Sequence, residues 1–442
     1  MKLKHHVTLA ALLVILLLTR ACRANVLLDN PDANGYYASS FRMDEIFDKF
    51  WQGMNNNYVY WDVEPEGYWD EIYRTYLPKF DALGVIVPET SNNVEVAEST
   101  ARTAYSYFAE IVAPLHDGHL VIEFARGWFA SNSQPGPIMP SYANVKKRET
   151  AVNSSVFLSN WSGFLDSNFN FWKEVISTYI DQEGSSINVS FSGGDSSTVY
   201  LRAATGYRMH SQGGIIAYLY FNGFNIYDAV QRERTATATP VTNFMQKYFS
   251  FLNDPNLRGV IFDVRGNNGG ANIDIPYIVG PLLQSDLLIA YTRVKKSLSP
   301  LDYKPWAPYY IPAAPASQRV QQPGIPVVVL CNDYSISCAE LLVLVAKEMP
   351  SGCSVGYRTF GALGPRLSST TPLYTNGGSF NGGPFWKNVI QAGFQTRGVD
   401  KSNYDGVGIQ PEIVVEMSAS DFRGGRDLQL EAALGIIDGK EN

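Results

Sequence analysis

The alternation of apolar strands with helices after Gly213 is the feature that most constrains the fold. Short apolar runs such as IIAYLYF, GVIFD and IPVVVL are each followed, after a turn, by a stretch with the length and spacing of a helix. The helical stretches include PVTNFMQKYFSFL, SCAELLVLVAKEM and the C-terminal DLQLEAALGII. Continuous apolar strands that alternate with helices indicate βα units around a buried sheet. We therefore predict an α/β core over residues 211–442.

Two other kinds of sequence precede this core. From residue 40 to 115, aromatic and aliphatic residues recur at three- and four-residue steps, which predicts an N-terminal helical domain. Residues 116–210 begin with a histidine-bearing motif. They continue with Ser-, Asn- and Gly-rich sequence that contains the strand-like pieces SSINVSFSG and STVYLRAAT. We interpret this second part as a variable, β-rich insertion.

The N terminus has the features of an export signal. Lys2 and Lys4 precede an apolar run at residues 7–18 that is too short to span a bilayer comfortably, and small residues follow it. We predict a signal peptide over residues 1–24. Cleavage would fall after Ala24, or Cys22 would be acylated as in a lipoprotein and anchor the chain to a membrane. Residues 25–39 would form a tether, and the protein would be extracytoplasmic: periplasmic, on the cell surface or secreted.

Composition excludes some partners and leaves the cysteines open. A formal charge of −7, without any basic block, argues against nucleic acid. No grouping of His, Cys and acidic residues favours a metal site, and no cofactor role is implied. Three cysteines follow Cys22. Cys331 and Cys353 could pair in an oxidising compartment, or these two and Cys338 could be small buried hydrophobic residues.

The segment CNDYSISCAE, residues 331–340, lies between an apolar strand and a helix. A serine in the first turn of such a helix faces the positive end of the helix dipole, and the next N–H lacks an intrahelical partner. This arrangement would supply a nucleophile and one oxyanion donor. Helix capping explains the same residues, because Ser337 or Ser335 with Glu340 gives a capping box. The segment alone leaves both interpretations open.

Two further stretches carry candidate chemistry. The turn RGNNGG, which contains Gly269 and Gly270, follows a strand and could present N–H groups to an anion, although tight packing requires the same glycines. In LHDGHL, His116 and His119 flank Asp117 and Gly118. Such a histidine is either a partly buried structural ring or a general base. Asp263 and Arg265 are expected to form a structural ion pair.

Six motifs in order resemble the C-terminal-processing, or tail-specific, serine protease superfamily, and are closer to its tricorn-like branch. They are DGHL, GIIAYLYFNGF, GVIFDVRGNNGG, SISCAE, VGYRTFG and GVGIQPEI. The resemblance covers most of residues 40–440. It implies a mixed α/β fold with a crotonase-like ββα catalytic core behind the N-terminal helical domain. Processing proteases often carry a PDZ module before the core. Residues 120–205 contain no clear one, which leaves specificity open.

The resemblance also implies a nucleophile and an oxyanion hole. The family's nucleophile is the second serine of S-x-S-x-[SA]-E, which falls on Ser337. The backbone N–H of Cys338 and one from the turn of Gly269 and Gly270 would form the oxyanion hole. The processing branch places a lysine base directly after T-F-G, where this chain has Ala362.

The tricorn-like branch uses a histidine and an acidic residue instead of the lysine. By resemblance these fall on His119 and on Asp405, which stands where the tricorn protease has Glu. Asp117 is a possible substitute for Asp405 if the backbone between Asp117 and His119 stays extended. In such a triad the histidine takes the serine proton and the acid fixes the imidazole tautomer.

These roles predict an exported serine endopeptidase that hydrolyses peptides or unfolded polypeptides through an acyl-enzyme, without a cofactor. One alternative is a catalytically inactive peptide- or lipid-binding protein on the same fold. Another makes Cys338 the nucleophile, since only one of two adjacent side chains can face the oxyanion site.

Overall fold

A computed structural model describes residues 41–86, 94–125, 128–129, 133–141, 173–192, 198–367, 376–381, 385–417, 421 and 424–439. The predicted signal peptide, with Cys22, and the predicted tether lie outside these residues. So does a large part of the predicted insertion.

The secondary structure of the described residues consists of short strands and helices in alternation. The strands are β1 Phe41–Arg42, β2 Val85–Ile86, β3 Val121–Phe124, β4 Asp181–Ser192, β5 Thr198–Met209, β6 Ile215–Phe221, β7 Leu257–Asp263, β8 Leu287–Arg293, β9 Ala307–Ile311, β10 Val327–Cys331, β11 Gly352–Gly356, β12 Phe380–Asn381, β13 Trp386–Ile390, β14 Gln395–Gly398 and β15 Ile413–Val414. The helices are α1 Met43–Asn57, α2 Tyr68–Ala82, α3 Val94–Val112, α4 Ile226–Glu233, α5 Pro240–Leu252, α6 Asp274–Val279, α7 Cys338–Glu348 and α8 Leu428–Ile437, with 3₁₀ turns at Gly280–Leu282 and Ala316–Gln318.

A seven-stranded sheet forms the centre, in the order β15-β11-β10-β7-β6-β5-β4. The strands from β15 to β6 run parallel, and β5 and β4 continue the sheet antiparallel. Every residue of β6 and β10 is buried, which is why these strands are apolar throughout rather than alternating. The predicted α/β class is confirmed, and α5, α7 and α8 lie within the stretches predicted as helices.

Two apolar layers enclose this sheet. Helices α4, α5, α6 and α7 contribute to the layer on one face, and α8 packs on the other with residues 175–180. The buried Arg265 guanidinium holds α8 to the sheet. It donates to the Asp263 carboxylate at the end of β7 and to the carboxylate of Asp427, the N-cap of α8. The expected Asp263–Arg265 pair is therefore present, with a second acidic partner that the sequence did not reveal.

The predicted boundary between insertion and core, at residues 210 and 211, falls inside a continuous sheet. Strand β5 pairs with β6 from Ala203 and Phe221 to Met209 and Ile215, and β4 pairs with β5. A tight turn joins β5 to β6, so the two strands form a hairpin. Strands β4 and β5 therefore belong to the same sheet as the strands of the predicted core.

The N-terminal helices form a second core that the C-terminal half of the chain completes. Phe50 in α1 packs on Phe108 in α3 with ring centroids 4.8 Å apart, and also on Trp386 in β13. Strand β13 pairs with β3, which begins two residues after His119. The helical domain is thus joined to the rest of the protein next to the histidine motif.

Candidate active site

The turn between β10 and α7 places Ser337 in a conformation that L residues rarely adopt, with φ 58° and ψ −113°. Such backbone outliers cost on the order of 1–3 kcal/mol and cluster at functional sites. Ser337 is the N-cap of α7, and its N–H donates to Oε2 of Glu340 at 3.1 Å. The glutamate contact of the predicted capping box is therefore present, but the cap residue itself is strained.

The Glu340 carboxylate connects this turn to a second turn, at residues 359–362. Glu340 is completely buried, and besides the Ser337 N–H it accepts the Thr359 hydroxyl at 2.6 Å, the Gly361 N–H at 2.8 Å and the Ala362 N–H at 2.7 Å. Burial raises the pKa of this carboxyl, and the four donors oppose that rise. The backbone of Ala362 helps to hold the turn that bears Ser337. Its side chain stands where the sequence pattern of the processing branch has a lysine.

The second turn packs backbone to backbone against the two segments that bear the acid and histidine candidates. A Cβ on Gly118 would lie 1.8 Å from the Gly361 carbonyl oxygen. A Cβ on Gly406 would lie 2.9 Å from Cα of His116, and the Gly406 N–H donates to the Gly361 carbonyl at 2.8 Å. Only glycine permits such approaches. The glycines that follow Asp117 and Asp405 therefore bring both acidic residues to the same place.

Asp117, His119 and Asp405 lie together as a consequence. One ring nitrogen of His119 and one oxygen of each carboxylate lie within 4.8 Å of one another. Nδ1 of His119 is buried and has no hydrogen-bond partner among the described residues. The extended backbone on which the substitute role of Asp117 depended is absent, since residues 118 and 119 form a turn and β3 begins at Val121.

Both carboxylates in this cluster are held by backbone amides. Each oxygen of Asp405 lies 3.1 Å from the Gly364 N–H. One oxygen of Asp117 accepts the His119 N–H at 2.7 Å, and the other accepts the Ala392 N–H at 2.8 Å. The residue types could ligate a metal ion, but every carboxylate oxygen already accepts a backbone N–H. These contacts fix both carboxylates beside His119.

Burial controls the charge of the three groups. It raises the pKa of Asp405 well above its ordinary value, with Asp117 adding repulsion, and it raises the pKa of Asp117 to about 7. Burial, and then the positive charge of Arg366, lower the pKa of His119 to about 3. His119 is consequently neutral near pH 7, which is the state that a general base requires. By contrast His116 pairs with Glu64 at 3.1 Å, and this contact raises its pKa.

The glycine turn after β7 lies directly against the nucleophile candidate. A Cβ on Gly269 would be 2.7 Å from Cβ of Ser337. The Gly269 N–H donates to Oδ1 of Asn267 at 2.8 Å and is already used. Within the described part of the chain, the N–H groups of Gly270 and Cys338 donate to no protein acceptor. Of the two predicted glycines, Gly270 is thus the one with an available donor.

The three cysteines in the described part of the chain form no disulfide. The Cys338 thiol donates to the Gly270 carbonyl at 3.0 Å, and burial raises its pKa to about 12, so the thiol stays protonated. Cys331 and Cys353 are also free, and Cys353 lies opposite Val328 in the sheet. The alternative of a Cys331–Cys353 disulfide is therefore wrong, and all three residues are buried or partly buried thiols.

Ser337 and His119 line one cavity of about 860 Å³, together with Gly270 and Cys338. This volume is within the usual range for ligand pockets. Asp405 does not line the cavity and is fully buried. The apolar part of the wall consists of Leu341, Leu363, Leu367, Ile390 and Phe394.

Sequence reasoning missed two residues beside this cluster. The Tyr60 hydroxyl, from the segment after α1, would be 2.0 Å from a Cβ on Gly364. It is buried without a hydrogen-bond partner among the described residues, and it is close enough to Asp405 to lower the raised pKa of that carboxyl. Arg366 follows Gly364 and lines the cavity. Arg366 could have been noticed from its place just after the T-F-G element, whereas no local pattern distinguishes Tyr60 from other aromatic residues of the helical domain.

Comparison with known proteins assigns the core to a family. The family model described as Peptidase family S41 matches residues 215–415, which contain the β10–α7 turn and the Asp405 segment. This match places residues 215–415 in the S41 peptidase superfamily. The predicted membership is thereby confirmed, and the tricorn-like branch remains a prediction.

Curated relatives share only part of their length with this chain. A tricorn protease homolog of Saccharolobus solfataricus is 27% identical over 197 residues, which are 44% of this chain and 15% of that protein. A tricorn-like protease C-terminal subunit named for Sulfurisphaera tokodaii is 25% identical over 200 residues, or 19% of its length.

Two solved structures share the fold over most of the chain. A Parabacteroides merdae protein described as a peptidase has a TM-score of 0.56 and 22% identity, and the match covers 90% of this chain and 97% of that one. Mature CPAF complexed with lactacystin has a TM-score of 0.52 and 11% identity, with the same coverages. In the described part of this chain, no helix has both the length and the apolar character of a membrane span.

The Glu340 contacts predict a large loss of stability in Glu340→Gln. The amide nitrogen would face backbone N–H donors, so we expect the free energy of unfolding to fall by about 2–4 kcal/mol. Glu348→Gln is the matched control on the same helix, since Glu348 accepts no hydrogen bond from a described residue, and it should change stability by less than about 0.5 kcal/mol. Urea unfolding followed by circular dichroism measures both. Equal stability losses in the two variants would contradict the role given to Glu340.

Proposed function

We propose that this protein is an exported serine endopeptidase that hydrolyses peptides or unfolded polypeptides through an acyl-enzyme. One observation carries the proposal. Ser337 has a strained backbone at the N terminus of α7, and it lines the same cavity as the neutral His119. Strain at a serine between a strand and a helix is the arrangement of the nucleophile elbow, in which the hydroxyl is exposed to substrate.

The chemistry follows from the positions of these groups. Oγ of Ser337 attacks the scissile carbonyl carbon while a ring nitrogen of His119 takes the hydroxyl proton. The carbonyl oxygen becomes an oxyanion, and the free N–H groups of Cys338 and Gly270 donate to it. Protonated His119 then gives its proton to the leaving amine as the C–N bond breaks. Water, deprotonated by His119, releases the acyl group from Ser337 in the second half of the reaction.

Asp405 acts on the histidine rather than on substrate. In the proposed enzyme its carboxylate accepts the second ring N–H of His119, fixes the tautomer and stabilises the imidazolium. The 4.8 Å limit on their separation is consistent with a contact that tightens when substrate is bound. Asp117 is the less suitable partner, since its two oxygens accept two separate N–H groups, of His119 at 2.7 Å and of Ala392 at 2.8 Å. The two oxygens of Asp405 share the single Gly364 N–H at 3.1 Å.

Export is proposed from the N-terminal sequence, with Lys2 and Lys4 ahead of the apolar run. The N-terminal residue of the mature protein, read by mass spectrometry, would distinguish cleavage after Ala24 from acylation of Cys22. A mature protein that retained the whole leader would contradict export by this route.

Active-site labelling tests the nucleophile. A fluorophosphonate should modify Ser337 in the wild-type protein and in Cys338→Ala, which keeps the backbone N–H, but not in Ser337→Ala. Peptide hydrolysis should fall by at least about 10³-fold in Ser337→Ala. Tryptic mapping identifies the labelled residue. Hydrolysis that survives in Ser337→Ala, or modification of Cys338 by iodoacetamide with loss of activity, would contradict the proposal. Peptide binding without hydrolysis by the wild type would favour the inactive binding protein.

The environment of Asp405 predicts a pH dependence that Tyr60 controls. The carboxyl of Asp405 faces Asp117, Glu340 and His119, and Tyr60 with the Gly364 N–H lower its raised pKa. Protonation of Asp405 removes the acceptor for His119, so kcat/KM falls as the pH is lowered through that pKa. Tyr60→Phe removes the neighbouring hydroxyl, raises the pKa of Asp405 further and should move the acid limb of the kcat/KM profile to higher pH.

Tyr58→Phe is the matched control for that experiment. Tyr58 is equally buried two residues away, but its hydroxyl donates to Glu64 at 2.6 Å. The acid limb of the kcat/KM profile of Tyr58→Phe should stay at the wild-type position. Coincident acid limbs for wild type and Tyr60→Phe would mean that Tyr60 does not act on Asp405.

A further inference from the structure

The cavity that Ser337 and His119 share has an uneven charge distribution. Among the described residues that line it, Arg366 is the one permanent charge, and there is no aspartate or glutamate. The other polar side chains are neutral. They come from Asn268, Asn272, Thr292, Tyr309, Ser379 and Thr396. A single cation in a partly apolar cleft attracts anions locally, against the background of a chain whose formal charge is −7.

Arg366 is held beside the reacting groups by its neighbours in sequence. The Gly364 N–H donates to Asp405, and the Pro365 carbonyl accepts the Gly393 N–H at 2.9 Å. Pro365 and Leu367 line the same cavity. The guanidinium is close enough to His119 for its charge to contribute to the lowered pKa of that ring. The position of Arg366 is therefore set by the same turn that holds the triad acid.

The guanidinium has no partner inside the protein. Arg366 is exposed to the cavity, and no described residue accepts a hydrogen bond from it or forms an ion pair with it. The other arginines near this sheet are used differently. Arg293 donates to Gln395 and Asp62 and stacks on Trp306, and Arg397 lies 4.0 Å from the same Trp306 ring. Of these three, Arg366 is the one with neither an acceptor nor an aromatic ring as a partner among the described residues.

We propose that Arg366 selects substrates that carry a carboxylate within a few residues of the cleaved bond. This inference rests on the proposed peptidase function and adds a substrate class to it. A guanidinium matches a carboxylate with two parallel N–H···O bonds, which a lysine or a neutral donor cannot reproduce. The leucine, isoleucine and phenylalanine side chains of the wall would bind apolar residues next to the acidic one.

A carboxylate can come from two sources, an Asp or Glu side chain or the C terminus of the peptide. Two series of internally quenched peptides separate them, with both ends blocked in the first series and only the N terminus blocked throughout the second. In one series, a single position near the cleaved bond carries Glu, Gln or Lys. In the other, the peptide is all neutral and ends at the same distance as either a free acid or an amide. Purified protein is assayed for kcat/KM on both series, and fluorophosphonate labelling of Ser337 is measured in parallel.

We expect the wild type to prefer the carboxylate in at least one series by roughly tenfold to a hundredfold over the Gln or amide peptide. Arg366→Gln should remove the preference, and Arg366→Glu should reverse it towards Lys. Lys387→Glu is the control, because Lys387 is exposed and does not line the cavity. This substitution changes the net charge of the protein as much as Arg366→Glu does. It should leave the preference unchanged.

Each outcome decides between claims. No preference in the wild type, or a preference that survives Arg366→Gln, overturns the role of Arg366 while hydrolysis and labelling uphold the peptidase. If the preference appears in the first series alone, the recognised carboxylate belongs to a side chain. If it appears in the second series alone, the carboxylate belongs to the chain terminus. Failure of both labelling and hydrolysis in the wild type overturns the proposed function and this inference with it.

Discussion

The buried carboxylate of Glu340 is the contact on which the rest of the site depends. It lies at the first turn of α7, has no solvent exposure and accepts four hydrogen bonds from two different turns. Leaving buried N–H donors unsatisfied costs about 1–3 kcal/mol each, so the two turns cannot separate without a large loss of stability. The strained conformation of Ser337 persists because this contact and the helix that follows over-determine it.

The same pair of turns explains why distant parts of the chain meet. The Gly361 carbonyl accepts the N–H of Gly406, and Gly118 packs against Gly361 with no room for a side chain. The histidine lies 218 residues before the serine and the acid 68 residues after it, but each is a few residues from this contact. The N-terminal helical domain takes part as well, since Tyr60 reaches Asp405 and β13 completes the helical core. The proposed catalytic residues therefore depend on both cores.

Sequence reasoning recovered the parts of this arrangement that have a local pattern. The continuous apolar strands and amphipathic helices predicted the α/β core, and the glycine-rich turn and the serine segment were placed correctly on turns beside the sheet. The resemblance selected Ser337, His119 and Asp405, and the structure brings the latter two together and opens the first two onto one cavity. Their catalytic roles remain proposals.

The remaining features depend on contacts that no local pattern encodes. The Gly269 N–H donates to the side chain of Asn267, so Gly270 is the glycine whose N–H is available. Only the three-dimensional structure distinguishes the two glycines in this way. Strands β4 and β5 were assigned to an insertion because their composition is polar, although edge strands of an antiparallel ribbon can be polar on their exposed face. Glu340 was recognised as a capping partner, but its three contacts to residues 359–362 arise from the fold.

The central claim is that Ser337 and His119 act as one unit within this contact network. The most direct measurement is a double-mutant cycle on peptide hydrolysis with Ser337→Ala, His119→Ala and the double variant, each checked for native folding by circular dichroism. The account predicts that each single variant loses at least about 10³-fold in kcat/KM and that the double variant is no worse than either, because residues of one catalytic unit are strongly non-additive. Losses that multiply in the double variant, or near-wild-type activity in His119→Ala, would contradict it.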